Sequence, residues 1–242
     1  MIQQIKALAE LEPFRRSAFA CRIRATAEAY GLDYPFARFW VQGEHAALCL
    51  LDDVLVLDAR PGADWEELAS FVRMAGARTV LCAEEAAQKM LLPAFLAGEI
   101  MVLDTTDAPE PACEWNPSLR DVHALLCDCE SASFVPPEFE PFYLDLSHRI
   151  RHGTARTVGF HQNGQLAACA ICSACTEEAA VLSAVAVHPE FRRQGLGARA
   201  VRSLAASLHK QKTYIFRADG ENEAFYRALG FAGCGRFAEL QP

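Results

Sequence analysis

The sequence predicts an α/β (α+β) fold, a mixed and mostly antiparallel sheet flanked by helices, built as two tandem halves. Three observations lead there. Apolar runs of strand length alternate with longer segments of helical period. Turn-forming residues at Gly43 and at Asn163–Gly164 join neighbouring runs into hairpins. A stretch rich in Pro and acid, residues 105–117, separates two series of elements that share one order.

The first series opens with a helical N-terminal stretch. Three apolar runs follow, ARFWVQ, AALCLLD and DVLVLDA, parted by turns at Gly43 and Asp52–Asp53, which reads as an antiparallel meander. Residues 61–76 form a helix, with Pro61 and Asp64 near its start and Gly76 just past its end. A strand TVLCA, a helix over residues 84–96 and a strand EIMVLD complete a β-β-β-α-β-α-β order. In the second series SLRDVHALLCDCE is helical, FVPPEFEP a loop and FYLDLSHRIRHG helical again. TVGFHQ and QLAACAIC form a hairpin, AAVLSAVAV is a third strand, and ARAVRSLAASLHK is a helix. The strand TYIFRA, the helix NEAFYRAL and an apolar segment FAGCGRFAEL close the chain.

A chain of 242 residues accommodates one large domain or two small ones, and 52% apolar with 22% charged residues is the balance of a globular protein. The net charge of −8 argues against a nucleic-acid surface, which needs clustered Lys and Arg. No apolar run reaches the ~18 residues of a membrane span. The N-terminus mixes charge into its apolar positions, unlike a signal peptide, so cytoplasmic residence is the expectation. In that compartment the ten cysteines are free thiols that act as small apolar residues. Cys169, Cys172 and Cys175 have iron–sulfur-like spacing, but no fourth Cys followed by Pro accompanies them, and they sit in an apolar strand. Cys127 and Cys129 are read as structural too, so no metal is expected.

The chemistry is concentrated in VLSAVAVHPEFRRQGLGARAVRSLAASL. A strand runs into His188–Pro189, then Arg192, Arg193, Gln194, Gly195, Leu196 and Gly197 lead at once into a helix. That helix carries Val201, Leu204, Ala205 and Leu208 on its apolar face and Arg199 and Arg202 on the wetter side. First-turn N–H groups lack internal partners and carry the positive end of the helix dipole. Glycine at 195 and 197 clears the approach of a pyrophosphate, and the two arginines add full charge. A bulky residue at 197 is therefore expected to block the phosphate without unfolding the protein. The rival dinucleotide pattern, Gly195, Gly197 and Ala200 with Asp219, fails on position, because seven residues separate the strand from the first glycine.

These residues resemble the GCN5-related N-acetyltransferase (GNAT) superfamily. Arg192, Gly195 and Gly197 match its R/Q-x-x-G-x-G/A loop, AVAVHPEFR is similar to its approach strand, and ENEAFYRALGF looks like a shortened form of its closing motif. The match covers residues 179–231 and extends back to about Leu119. The resemblance implies a GNAT-type sheet, with a catalytic domain over residues 106–242. It also implies a degenerate GNAT-like domain over residues 1–105 without a cofactor loop. Acetyl-CoA would be the cosubstrate, its pantetheine arm paired to the backbone of Val185, Ala186 and Val187. Its pyrophosphate would lie on the amides of Arg193, Gln194, Gly195, Leu196, Gly197 and Ala198, beside Arg192. Asn222 falls near the family's Asn and would touch the cofactor.

Tyr226 fits the family's general-acid position, because a phenol of pKa ~10 can protonate a thiolate whose conjugate acid lies near ~8.5. Glu177, Glu178, Ser183 and His188 are candidate bases, and none is assigned. Tyr143, Asp145, His148 and His152 fall where the family's early helices line the acceptor groove. The expected reaction moves an acetyl group to a primary amine of a small molecule or peptide; the alternative is a non-catalytic acyl-CoA-binding module.

Overall fold

The structure is a computed structural model that describes residues 1–104, 113–131 and 134–242. In chain order it contains β1 (Gln3–Gln4), a 3-10 turn (Leu8–Leu11), α1 (Ala18–Tyr30), β2 (Ala37–Gln42), β3 (Ala46–Leu51) and β4 (Val54–Ala59). Next come α2 (Trp65–Met74), β5 (Thr79–Ala83), α3 (Glu84–Lys89), β6 (Ala94–Asp104), β7 (Glu114–Trp115), α4 (Leu119–Asp128) and α5 (Phe139–Arg151). Then follow β8 (Arg156–Gln162), β9 (Gln165–Cys175), β10 (Ala179–Val187), a 3-10 turn (Pro189–Phe191), α6 (Leu196–Leu208), β11 (Lys212–Ala218), α7 (Glu223–Ala228) and β12 (Ala232–Leu240). The chain divides into two compact units. One comprises Met1–Val102, Tyr214–Glu223 and Ala232–Pro242, the other Leu103–Thr213 and Ala224–Phe231. The expected boundary between residues 105 and 106 lies outside the described residues.

In the first unit the strands run in the order β1-β2-β3-β4-β5-β12-β6-β11. The meander is antiparallel with Ala37 opposite Leu51 and Ala46 opposite Ala59, and β4 then pairs in parallel with β5 across the α2 crossover. Asp64 caps α2 by accepting the Glu67 N–H at 3.0 Å, and Gly76 follows its end at φ 79°. Leu48, Leu50, Leu55, Leu57, Leu68, Val72 and Val80 form the core under this sheet, joined by Ala238 and Leu240 of β12. Two sequence expectations need correction. The helix over residues 84–96 stops at Lys89, because Leu91 turns left-handed at φ 54° ahead of Pro93, and residues 94–96 join an eleven-residue β6. The apolar C-terminal segment is β12, a strand of this first unit, inserted between β5 and β6.

In the second unit the sheet runs β10-β9-β8-β7, antiparallel throughout, with the expected hairpin turn at Asn163 and Gly164 in left-handed conformation. The helix expected from Phe142 begins earlier, at Phe139, and tolerates Pro141 in its first turn, where a missing N–H costs no internal bond. Val122, Leu125 and Leu126 of α4 and Leu146 of α5 bury themselves against Cys169, Ile171 and Ala186 of the sheet. Helix α6 packs on β8, β9 and β10.

Asp58 on β4 is a buried carboxylate. Ser17 donates to its Oδ1 at 2.7 Å, Arg60 stands 4.0 Å from Oδ2, and Oδ2 has no hydrogen-bond partner. Burial pushes its pKa above the ordinary 3.8, against the opposing pull of Ser17 and Arg60. A carboxyl raised on folding contributes stability below its unfolded pKa and loses it as pH climbs through the folded value. Asp58→Asn keeps the acceptor for Ser17, so it should raise the melting temperature by about 2–4 °C at neutral pH. That gain should vanish near pH 4 in a pH series of thermal melts.

Candidate cofactor and catalytic site

Strand β10 carries a register irregularity around Ser183, after which Val185, Ala186 and Val187 pair with Ala170, Cys169 and Ala168 of β9. His188 continues the ladder, donating its N–H to the Ala167 carbonyl at 2.9 Å. Pro189 then ends the strand, and the His188 Nδ1 caps the short 3-10 turn by accepting the Glu190 N–H at 3.3 Å. Arg192 folds back, its Nε donating to the Val187 carbonyl at 3.2 Å, while its side chain stays exposed. Arg193 at φ 64° and Gly195 at φ 78° are both left-handed, and this pair of inversions turns the chain into α6. Gly195 is the N-cap, and the first internal bond runs from the Arg199 N–H to the Gly195 carbonyl at 3.0 Å. The amides of Leu196, Gly197 and Ala198 therefore precede the helical ladder as donors. The first turn holds no acidic residue, and Arg193, Gln194 and Gly195 are exposed.

The two glycines serve different ends. A Cβ on Gly195 would meet nothing within 4 Å. A Cβ on Gly197 would meet the Val187 Cγ2 at 3.2 Å and the Phe225 ring at 3.5 Å. A bulky residue at 197 therefore meets packing as well as ligand space, since Gly197 is buried where α6 closes on β10 and α7. Leu196, also buried, fixes the same turn from the core side. Ala198 is half-buried and follows them.

The Phe225 that covers Gly197 neighbours Tyr226, their ring centroids 5.0 Å apart, and the Phe231 ring stands 5.6 Å from Tyr226 on another side. Tyr226 is half-buried, and burial raises its hydroxyl pKa above the ordinary 10. It is accordingly a proton carrier throughout the physiological range. Asn222, exposed at φ 50°, precedes α7 in a segment belonging to the other compact unit.

Among the candidate bases, His188 has both ring nitrogens engaged, since its Nε2 lies 3.8 Å from the Asp128 carboxylate. Ser183 is exposed at the irregularity of β10, and the Glu177 carbonyl accepts from Lys210 at 3.4 Å. The residues expected to line the acceptor groove have neighbours along α5, and Tyr143 also faces the Arg120 guanidinium of α4 at 6.0 Å. Asp145 pairs with the buried Arg149 at 2.7 Å, His148 and His152 stack at 4.1 Å, and Tyr143 packs on Phe139. Sequence reading missed the end of α4, where the Cys129 thiol donates to the Val187 carbonyl at 3.3 Å beside the Asp128–His188 contact. No motif marked it. Cys169, Cys172 and Cys175 are buried in β9, and burial pushes the Cys169 thiol up to about 12. Asp219, which the dinucleotide reading needed, is held by Arg236 at 2.7 Å.

Residues 119–231 match the model of the acetyltransferase (GNAT) family. No curated protein sequence matches the chain. Among solved structures, a tandem GNAT protein from the clavulanic acid biosynthesis pathway superposes with a TM-score of 0.61 at 15% identity, over 99% of this chain and 97% of its own. A GCN5-related N-acetyltransferase from Kribbella flavida gives a TM-score of 0.62 at 20% identity, covering 91% of this chain and 94% of its own. One from Sphaerobacter thermophilus gives 0.57 at 17% identity, over 99% and 94%.

Gly197→Val forces a side chain into the Val187 and Phe225 contact, so it should destabilise the protein by about 1–3 kcal/mol in denaturant titrations. An unchanged midpoint would show that the helix does not need its glycine.

Proposed function

The chain carries a domain of the GNAT acetyltransferase family at residues 119–231 beside a second, N-terminal half, and from this we propose that it is an acetyl-CoA-dependent N-acetyltransferase. The observation that carries this reading is one arrangement. The unpaired amides of Leu196, Gly197 and Ala198 lie behind the left-handed Gly195, and Gly197 is packed by the helix that bears Tyr226. A diphosphate fits this chemistry: amide donors at a positive helix end, Arg192 and Arg193 alongside, and no carboxylate in the first turn to oppose it. The family resemblance assigns the backbone of Val185, Ala186 and Val187 to the pantetheine arm, with the Val187 carbonyl already accepting from Arg192 and Cys129. Asn222 rests on the motif resemblance alone.

In the reaction a neutral primary amine of a small molecule or peptide attacks the thioester carbonyl. The carbon–sulfur bond breaks, the departing thiolate takes the Tyr226 proton, and the amine nitrogen loses its own proton to water. A raised Tyr226 pKa keeps the acid charged with its proton, which the reaction consumes and solvent restores. Residues 1–105 would lack cofactor binding of their own, since PGADWEELASF contains no glycine loop. A count of ten cysteines, read as reduced thiols, fits work in the cytoplasm. No described helix is long and apolar enough to cross a membrane.

Two variants test the halves of this proposal separately. Ala198→Glu places a carboxylate in the first turn of α6, where it favours the helix but repels a diphosphate. CoA affinity should fall about tenfold or more by calorimetry while the melting temperature holds; retained affinity would remove the phosphate site. Tyr226→Phe should leave CoA affinity intact and lower kcat by about 10²–10⁴. Because catalysis needs the protonated phenol, the wild-type rate should decline only as pH climbs past 10, and the phenylalanine variant should lose that limb.

A further inference from the structure

The end of β10 is held from several sides. The Val187 carbonyl accepts from the Arg192 Nε at 3.2 Å and from the Cys129 thiol at 3.3 Å. The His188 N–H continues the ladder to the Ala167 carbonyl at 2.9 Å, which ties the backbone to β9. The His188 ring then reaches forward along the chain. Its Nδ1 accepts the Glu190 N–H at 3.3 Å, and its Nε2 lies 3.8 Å from the Asp128 carboxylate at the end of α4. The Phe191 ring stands 5.6 Å from it.

These contacts limit what the imidazole can do. A backbone N–H only donates, so the nitrogen that meets Glu190 must carry a lone pair. The neutral ring therefore bears its proton on Nε2, toward Asp128. The lone pair that a general base would use is already engaged by a backbone amide. A ring protonated on both nitrogens would set its Nδ1–H against the Glu190 N–H and break that bond.

What the bond holds is the three-residue turn Pro189–Phe191, with His188 as its N-cap. Within it the Phe191 N–H donates to the His188 carbonyl at 2.9 Å, and the Arg192 N–H to the Pro189 carbonyl at 3.4 Å. Pro189 has no N–H to satisfy. The Glu190 N–H is the donor that the turn itself leaves over, and the His188 ring takes it. A 3-10 turn of this length is poorly held by its own bonds. Arg192 follows it at once, and the left-handed Arg193 and Gly195 then open α6. Where the glycine loop begins is thus decided at His188.

We propose that His188 is a positioning residue of the cofactor site, which acts through its cap on the Pro189–Phe191 turn and takes no proton from the amine. The inference rests on the acetyl-CoA reading above and deepens it. Without the cap the loop samples other courses, and a diphosphate binds only the fraction of molecules whose loop is in place. Asparagine at 188 offers a carboxamide oxygen to the same N–H but has no basic nitrogen, so it separates capping from proton transfer.

The test compares His188→Ala with His188→Asn in the full chain. Calorimetry with CoA should show affinity about three- to tenfold weaker in His188→Ala and within about twofold of wild type in His188→Asn. In steady-state release of CoA thiol, His188→Ala should raise the KM for acetyl-CoA by a similar factor, with kcat within about twofold. Amide hydrogen exchange of the unliganded proteins should quicken about fivefold or more at Glu190, Phe191 and Arg192 in His188→Ala, and not in His188→Asn. A kcat lowered about tenfold or more in both variants, with CoA affinity held, would make His188 a base and overturn the proposal. So would unchanged exchange in His188→Ala, or CoA binding as weak in His188→Asn as in His188→Ala. A wild-type protein that binds no CoA, yet whose turn loosens in His188→Ala alone, would support the cap and reject the acetyl-CoA reading instead.

Discussion

The candidate site depends on how closely α6 can approach β10. The apolar stripe of α6, with Leu196, Val201 and Leu204 buried, pulls the helix onto the sheet. The absence of a side chain at Gly197 decides how near it comes to Val187. That packing fixes where the first-turn amides point, since a helix anchored through its core face cannot rotate its N-terminus without vacating the core. The left-handed Arg193 and Gly195 follow from the same demand: the chain must reverse sharply between a strand end and a helix start already set by packing. The placement of these first-turn amides is here a consequence of hydrophobic burial, with the conformational cost placed on two residues of the connecting loop.

Much of this was legible because it is local. The meander, the capped α2, the Asn163–Gly164 turn and the helix after Gly197 are each specified by residues a few positions apart, and periodicity plus turn chemistry suffices to read them. The failures are of two kinds. Residues 94–96 read as helix because apolar periodicity continues through Leu91 and Leu92, whereas the left-handed Leu91 and Pro93 break it and β12 claims the segment as a strand. The second kind is long-range. Nothing in FAGCGRFAEL says that it lies between β5 and β6, because the two strands it pairs with lie more than a hundred residues upstream.

The site residues divide in the same way. The glycine loop and Tyr226 stand out in sequence because the roles proposed for them use backbone conformation or a distinctive side chain. The glycine at 197 has a packing reason that the sequence alone does not give: the position of its missing Cβ is taken up by Val187 and Phe225. Both functions can coexist at one glycine, since its amide faces out of the turn while its missing Cβ faces in. The polar residues of α5 carry two readings in the sequence for a related reason. Tyr143, Asp145, His148 and His152 have functional chemistry, but pairs three or four apart on a helix meet one another first.

Charge at buried positions separates structural expense from purpose. Asp58 and Arg217 are both buried and both leave one polar atom without a partner, Oδ2 in the first and Nε in the second. Asp58 is held by a single serine hydroxyl and a distant arginine, and burial dominates its titration. Arg217 instead spends its donors on the Ala218 and Glu221 carbonyls of one turn and on the Glu99 carboxylate of β6. A hydrophobic residue of similar volume could fill the space of either, and for ion pairs such replacement often stabilises. What an apolar side chain could not do at 217 is fix the course of the backbone from Ala218 to Glu223. The selectable property of that arginine is therefore the geometry of the turn.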